Sequence, residues 1–231
     1  QLNVGYANGV GMFAMLGDVA SGKDYAVGLS GILSSGAVSI IVTASLTAFM
    51  RSRFGLRGVY LATAAFSACQ LLVGAVILEE TLPSALRKPF TGLENPLSFC
   101  RLFTHSRSMT SMLLASAATH LLEQKILIDF QLTWYRGLNL SIVRFRTFLG
   151  LTGACGQRMI GPAMINRLGM GAFTTISNVT SVASHFVHAF MLWSQRPSRL
   201  MYLALVLMMP GGNAASGNAL RSWAAAYARE A

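Results

Sequence analysis

Between Tyr25 and Met50 the chain runs for more than a helix-length without one charged side chain. After the break RSRFGLRG a second such run follows, from Val59 to Leu78. A helix needs about 20 apolar residues to cross the hydrocarbon of a bilayer. Both runs reach that length. The first is rich in Gly, Ser and Ala, which lets helices approach closely in lipid. An open strand in that environment would leave backbone groups unpaired, so these runs read as helices. Four further apolar segments follow: Met109 to about Tyr135, Leu140 to about Ile165, Gly171 to Trp193, and Leu200 to about Leu220. The polar breaks between them are WYRGLN, NRLGMG and SQRPSR. A shorter segment, Val4 to Leu16, ends in GDVASGKDYA and reads as the tail of a helix. The expected fold is an all-α integral membrane protein with about six full transmembrane helices plus a partial one.

Composition agrees. Soluble domains carry about 25% charged residues, and this chain carries 11%, with 53% hydrophobic residues and a mean hydropathy of +0.52. The net charge of +10 comes from 15 Arg and 3 Lys against 8 acids. In a soluble protein that balance would raise the question of nucleic acid. Here the arginines fall in short breaks between apolar segments, which favours lipid head groups or partner subunits and not nucleic acid. Alternate breaks place Arg51, Arg53, Arg57, Arg136, Arg144, Arg146, Arg196 and Arg199 on one side. Lys23, Arg87, Lys88, Arg101, Arg107, Arg167, Arg221 and Arg229 fall on the other. The positive-inside rule therefore assigns no orientation. The expected partners are the bilayer and other membrane subunits, and an organelle membrane fits as well as any. Cys69, Cys100 and Cys155 have no CxxC spacing, which indicates neither a zinc site nor a disulfide framework. No nucleotide loop or catalytic triad is present, so no enzyme is expected. The chain begins at Gln1, and the reading expects a targeting segment or further protein upstream.

Local motifs carry a resemblance. GMFAMLGDVASGKDYAVGLSG resembles the end of the fourth helix, the cytoplasmic turn and the start of the fifth helix of the major facilitator superfamily. Its nearest branch is the tetracycline-efflux-like drug/proton antiporters. Asp18 falls on the acidic position of that turn. VILEETLPSALRKPFTGLENPLSF resembles the sixth helix running into the central loop. GPAMINRLGMG resembles the G-P-x-x-x-R-x-G turn after helix eight. The resemblance implies a partial major-facilitator-like bundle covering helices four to ten. It divides the chain into a first-lobe remnant (1–80), a central linker (81–107) and a second-lobe remnant (108–231). The family's helix-five signature is altered: Ile41 and Val42 stand where Gly-Pro would fall, and Ser45 and Leu46 where Gly-Gly would fall. That stretch of the family is a close-packed interface between lobes, and β-branched residues there are expected to hold the neighbouring helix further away. With the altered signature and the helices beyond this range, the resemblance implies a chain without a complete transport path. Two functions follow: an accessory or structural subunit of a larger membrane complex, photosynthetic or respiratory for example, or a fragment of a proton-coupled small-molecule transporter.

The residues with chemistry concentrate in HLLEQKILIDFQ. Lys125 and Asp129 form an i,i+4 pair on one helix face, and His120 and Glu123 an i,i+3 pair on another. Ionisable groups within a span are costly and suggest function by default. Three readings stand: a proton or substrate path, an internal pair fixing the helix to a neighbour, or interfacial placement of Asp129. Arg158, in GACGQRMIGP, either answers Glu123, binds an anionic group, or snorkels to the membrane surface. His185 and His188 share a helix side. A metal, a chlorophyll magnesium, or ordinary packing are the readings there. No cofactor is expected beyond such chlorophyll or lipid contact. PGGNAASGNALRS interrupts the last segment and allows either tight helix contact or a broken helix lining a site.

Overall fold

A computed structural model of the chain describes residues 4–77, 81, 84 and 106–209. Among them the architecture is all-helical, without a strand. The elements are α1 (Val4–Val19), α2 (Gly22–Ile77), α3 (Arg107–Gly137), α4 (Ile142–Cys155), a π-helical turn (Gly156–Ile160), α5 (Gly161–Ser194) and α6 (Pro197–Leu207). The central linker lies almost wholly outside the described residues, as do Cys100 and the segment PGGNAASGNALRS.

The sequence breaks reappear as specific backbone features. Within α2, Gly55 has φ 64° and ψ −170°. Within α5, Gly169 has φ 83° and ψ 168°. Both lie in a region of backbone space open essentially to glycine alone. RSRFGLRG and NRLGMG therefore end one helix and begin the next at a single residue. The break WYRGLN becomes a short turn. Asn139 takes a left-handed φ of 48°, and Ser141 caps α4 by accepting from the Arg144 amide at 3.3 Å. At SQRPSR, Gln195 closes α5 with φ 51°. Pro197 then opens α6, a position where its missing N–H costs nothing. Ser106 caps α3, accepting from the Met109 amide at 3.1 Å.

Two clusters hold the helices together. Phe130 and Trp134 on α3, Phe145 on α4, Met191 on α5 and Met201, Ala204 and Leu205 on α6 form the larger one, with Met208 just beyond. Trp134 is its centre. Its ring lies 5.3 Å from Phe145 and 5.1 Å from Tyr202, edge-on to the latter. Its indole N–H donates to the Ser141 carbonyl at 3.4 Å, so the buried polar end has a partner. The smaller cluster joins the start of α2 to the far end of the bundle through Ala26, Ile165 and Phe173.

The outer half of α2 belongs to neither. No residue from Arg51 to Ile77 is buried, and Phe66, Leu71 and Val76 are all exposed. α2 is also the one described helix long and apolar enough to cross a membrane by length and composition, with a mean hydropathy of 1.8 in its most apolar window. The other described helices do not reach that measure. Asn178, His185, His188 and many Ser and Thr residues dilute α5, and the charged run dilutes α3.

Gly55→Ala and Gly169→Ala are each expected to lower stability by about 1–3 kcal/mol, because alanine is strained at those angles. Thermal unfolding in detergent checks this. Gly36→Ala, in helix interior with open space where its Cβ would go, should instead raise stability by up to about 1 kcal/mol.

Candidate functional site

α2 and α4 cross antiparallel at the middle of the bundle, and their sequences explain how closely. Ala26, Ser30, Ser34, Ala37 and Ile41 fall on one side of α2, at spacings of three and four. Ser30 and Ser34 are buried. Ser30 satisfies its hydroxyl on the Ala26 carbonyl at 3.0 Å, and Ser34 reaches across to the Ala154 carbonyl at 3.5 Å. Facing them are Gly150 and Gly153, and Gly156 follows at the same spacing. A Cβ on Gly150 would lie 2.5 Å from Ile41 Cγ1 and 2.8 Å from the Ala37 carbonyl oxygen. One on Gly153 would lie 3.2 Å from Ala37 Cβ, and one on Gly156 would collide with the Met209 carbonyl. The expectation that Ile41 holds the neighbouring helix away is thus corrected. Gly150 receives the Ile41 side chain, and the backbones still meet.

Next to this crossing the helix widens. Over Gly156–Ile160 the hydrogen bonds shift to a π pattern, with the Gly161 amide donating to the Gly156 carbonyl. Pro162 is the reason. It has no N–H for the Arg158 carbonyl, and its ring would press on that carbonyl in a regular helix. An inserted π turn relieves both problems. It also aims Gln157 inward. Gln157 is only 4% exposed, and its side-chain carbonyl Oε1 has no hydrogen-bond partner among the described residues. The side chain borders a cavity of about 340 Å³ with walls from Leu33, Ile40, Leu127, Leu149 and Met208. Thr152, also on the wall, is satisfied by the Leu149 carbonyl at 3.0 Å. The site is therefore a largely apolar chamber between α2 and α4, with the Gln157 side chain on its wall and that side chain's Oε1 shut off from solvent. It can take an apolar molecule.

The residues singled out in the sequence lie elsewhere. Asp129 is half-buried and borders a surface recess with Arg136 and Leu192. It acts electrostatically on His188. His188 is buried and stacks on Phe130 with ring centres 3.9 Å apart. The Nε2 atoms of His185 and His188 are buried without a hydrogen-bond partner among the described residues. The burial and stacking of His188 match ordinary packing, one of the three readings. Among the described residues no group of three or more His, Cys, Asp or Glu is placed to hold a metal. Arg158 is exposed, its guanidinium passing beside Gly31 on α2. Asp18 is exposed at the end of α1 and accepts from the Thr81 hydroxyl at 2.7 Å. His120, Glu123 and Lys125 lie on the α3 backbone, with side chains outside the described residues. Gln157 and the glycine triplet escaped the sequence reading. Their signal was present in LGLTGACGQ, a glycine every third residue followed by Gln and then a proline.

Gly150→Val is expected to destabilise the crossing by about 1–3 kcal/mol through overpacking. Ile41→Ala in the same chain should recover part of that loss, a coupling that a double-mutant cycle in thermal unfolding reads directly. Gln157→Leu removes a buried unanswered carbonyl and should stabilise the protein by on the order of 1 kcal/mol. No protein-family model matches the chain, and neither does any curated protein or solved structure.

Proposed function

We propose that the chain is an integral membrane protein whose helices serve as an accessory, structural subunit of a larger membrane complex, built on a major-facilitator-like plan. The observation that carries this reading is the crossing of α2 and α4. There the two halves of the chain meet backbone to backbone on Gly150 and Gly153. Neither Asp129 nor Arg158 lines the cavity beside it. A transport path by rocking lobes needs a midplane site between them, and proton coupling needs an ionisable group within it. Among the described residues lining the chamber, the polar side chains are Thr152 and Gln157. The outer half of α2 adds support. It is mostly apolar and carries no buried residue, a surface suited to lipid or to helices of other subunits.

A second reading, a proton-coupled small-molecule transporter, is favoured by one specific observation. The chamber sits between the two halves, and the Gln157 amide stands on its wall.

The test separates them. Purified from its native membrane in mild detergent, the protein is expected to migrate on a native gel well above its 24.7 kDa. Reconstituted alone in vesicles loaded with a pH-sensitive dye, it should produce no proton flux when challenged with lipophilic amines. Flux from the isolated chain, lost in Gln157→Leu, would overturn the subunit reading in favour of transport.

A further inference from the structure

One end of the molecule collects arginine, and Asp129 borders a recess with one of them, Arg136. α2 reaches it at Arg51, Arg53 and Arg57. The α3–α4 turn brings Arg136, Arg144 and Arg146, and the α5–α6 turn brings Arg196 and Arg199. The chain has no acidic residue between Asp24 and Glu79, and none between Asp129 and Glu230. The helices that build this end therefore supply no counter-charge of their own, apart from Asp129 further down α3.

At the same end α2 and α4 diverge from their close crossing, and a groove of about 840 Å³ opens between them. Ile40, Ala44 and Ala48 of α2 form one apolar wall, and Val143 of α4 stands opposite. Thr43 and Thr47 also border it. Arg51 and Arg146 also line it. The Arg146 guanidinium is steadied by donating to the Gln131 side-chain carbonyl at 3.3 Å. From Ser39 to Ser52 the groove extends about 20 Å along α2, at about 1.5 Å per residue. One leaflet of bilayer hydrocarbon is about 15 Å deep. The length, the apolar walls and the two arginines on the lining match a single molecule type: an anion attached to a long hydrocarbon chain.

We propose that this groove is a binding site for one anionic phospholipid. Its phosphate lies between Arg51 and Arg146, and one acyl chain lies along Ile40, Ala44 and Ala48 against Val143. Arginine suits the head group, since its planar fork bonds phosphate oxygens in pairs. Charge selects the lipid, because the eight arginines of this end favour an anionic over a zwitterionic head group. The site rests on the membrane placement proposed above, and it is independent of the subunit role.

Native mass spectrometry of the delipidated full chain in detergent tests it, with phosphatidylglycerol, phosphatidylcholine and inorganic phosphate as separate probes. One phosphatidylglycerol is expected to bind at least tenfold more tightly than phosphatidylcholine. The double variant Arg51→Gln/Arg146→Gln should remove that preference. Arg53→Gln/Arg57→Gln loses the same charge at the same end but outside the groove lining, and should keep it. Ala44→Phe fills the groove while leaving both arginines, and should weaken phosphatidylglycerol binding at least tenfold. It therefore decides the matter if the arginine double variant fails to fold. Equal binding of the two lipids, or an undiminished preference in Arg51→Gln/Arg146→Gln, would overturn the site. Full displacement of the lipid by millimolar inorganic phosphate would show an anion site that ignores the acyl chain, and would overturn it as well. A protein that stays soluble and monodisperse without detergent would instead sink the membrane placement itself.

Discussion

Backbone contact between α2 and α4 is what the rest of this architecture depends on. In water, helices associate because apolar surface leaves the solvent. Among lipid tails that drive largely vanishes, and dispersion contacts and interhelical hydrogen bonds must replace it. Glycine provides the closest approach available. Gly150 and Gly153 bring α4 against Ala37 and Ile41, and the Ser34 hydroxyl adds a bond across the gap. The contact joins the two halves of the chain, whose intervening segment exceeds a hundred residues. Everything else hangs on it: the aromatic cluster around Trp134 on one side, the chamber at Gln157 below, and the arginine-flanked groove above.

The chamber and the π turn have one cause. Pro162 cannot continue a regular helix, and the chain accommodates it with an extra residue in the preceding turn. That extra residue turns Gln157 toward the interior, where its side-chain carbonyl is buried with no donor among the described residues. A polar group left in that state costs about 1–3 kcal/mol. Such a cost persists most readily where something outside the chain answers it.

Much of the fold was legible in the sequence. Helix limits followed from the apolar runs, and the breaks at Gly55 and Gly169 fell within the arginine-bearing motifs RSRFGLRG and NRLGMG. Those signals are local: a missing charge, a glycine, a capping serine. The site was less legible because it depends on pairs of distant residues. Nothing near Ile41 indicates that its partner is Gly150, so the effect of a β-branched residue there was read with the wrong sign. The charged run on α3 drew attention because ionisable groups stand out in an apolar chain. A glutamine among glycines does not stand out, although its burial decides where the chamber's polarity lies. The Trp134 cluster was hidden for a similar reason, since its members come from four helices and share no motif.

The helix beyond Gly55 has a further consequence. It leaves the body at one glycine, and at the far side Thr81 is tied back to Asp18 at the end of α1. It is a handle fixed at both attachment points and bare along its length. Its departure from the body is set by one pair of backbone angles at Gly55. Whatever lies alongside it, lipid or protein, therefore meets an apolar rod whose tilt can adapt by small torsions at Gly55 without disturbing a single buried side chain.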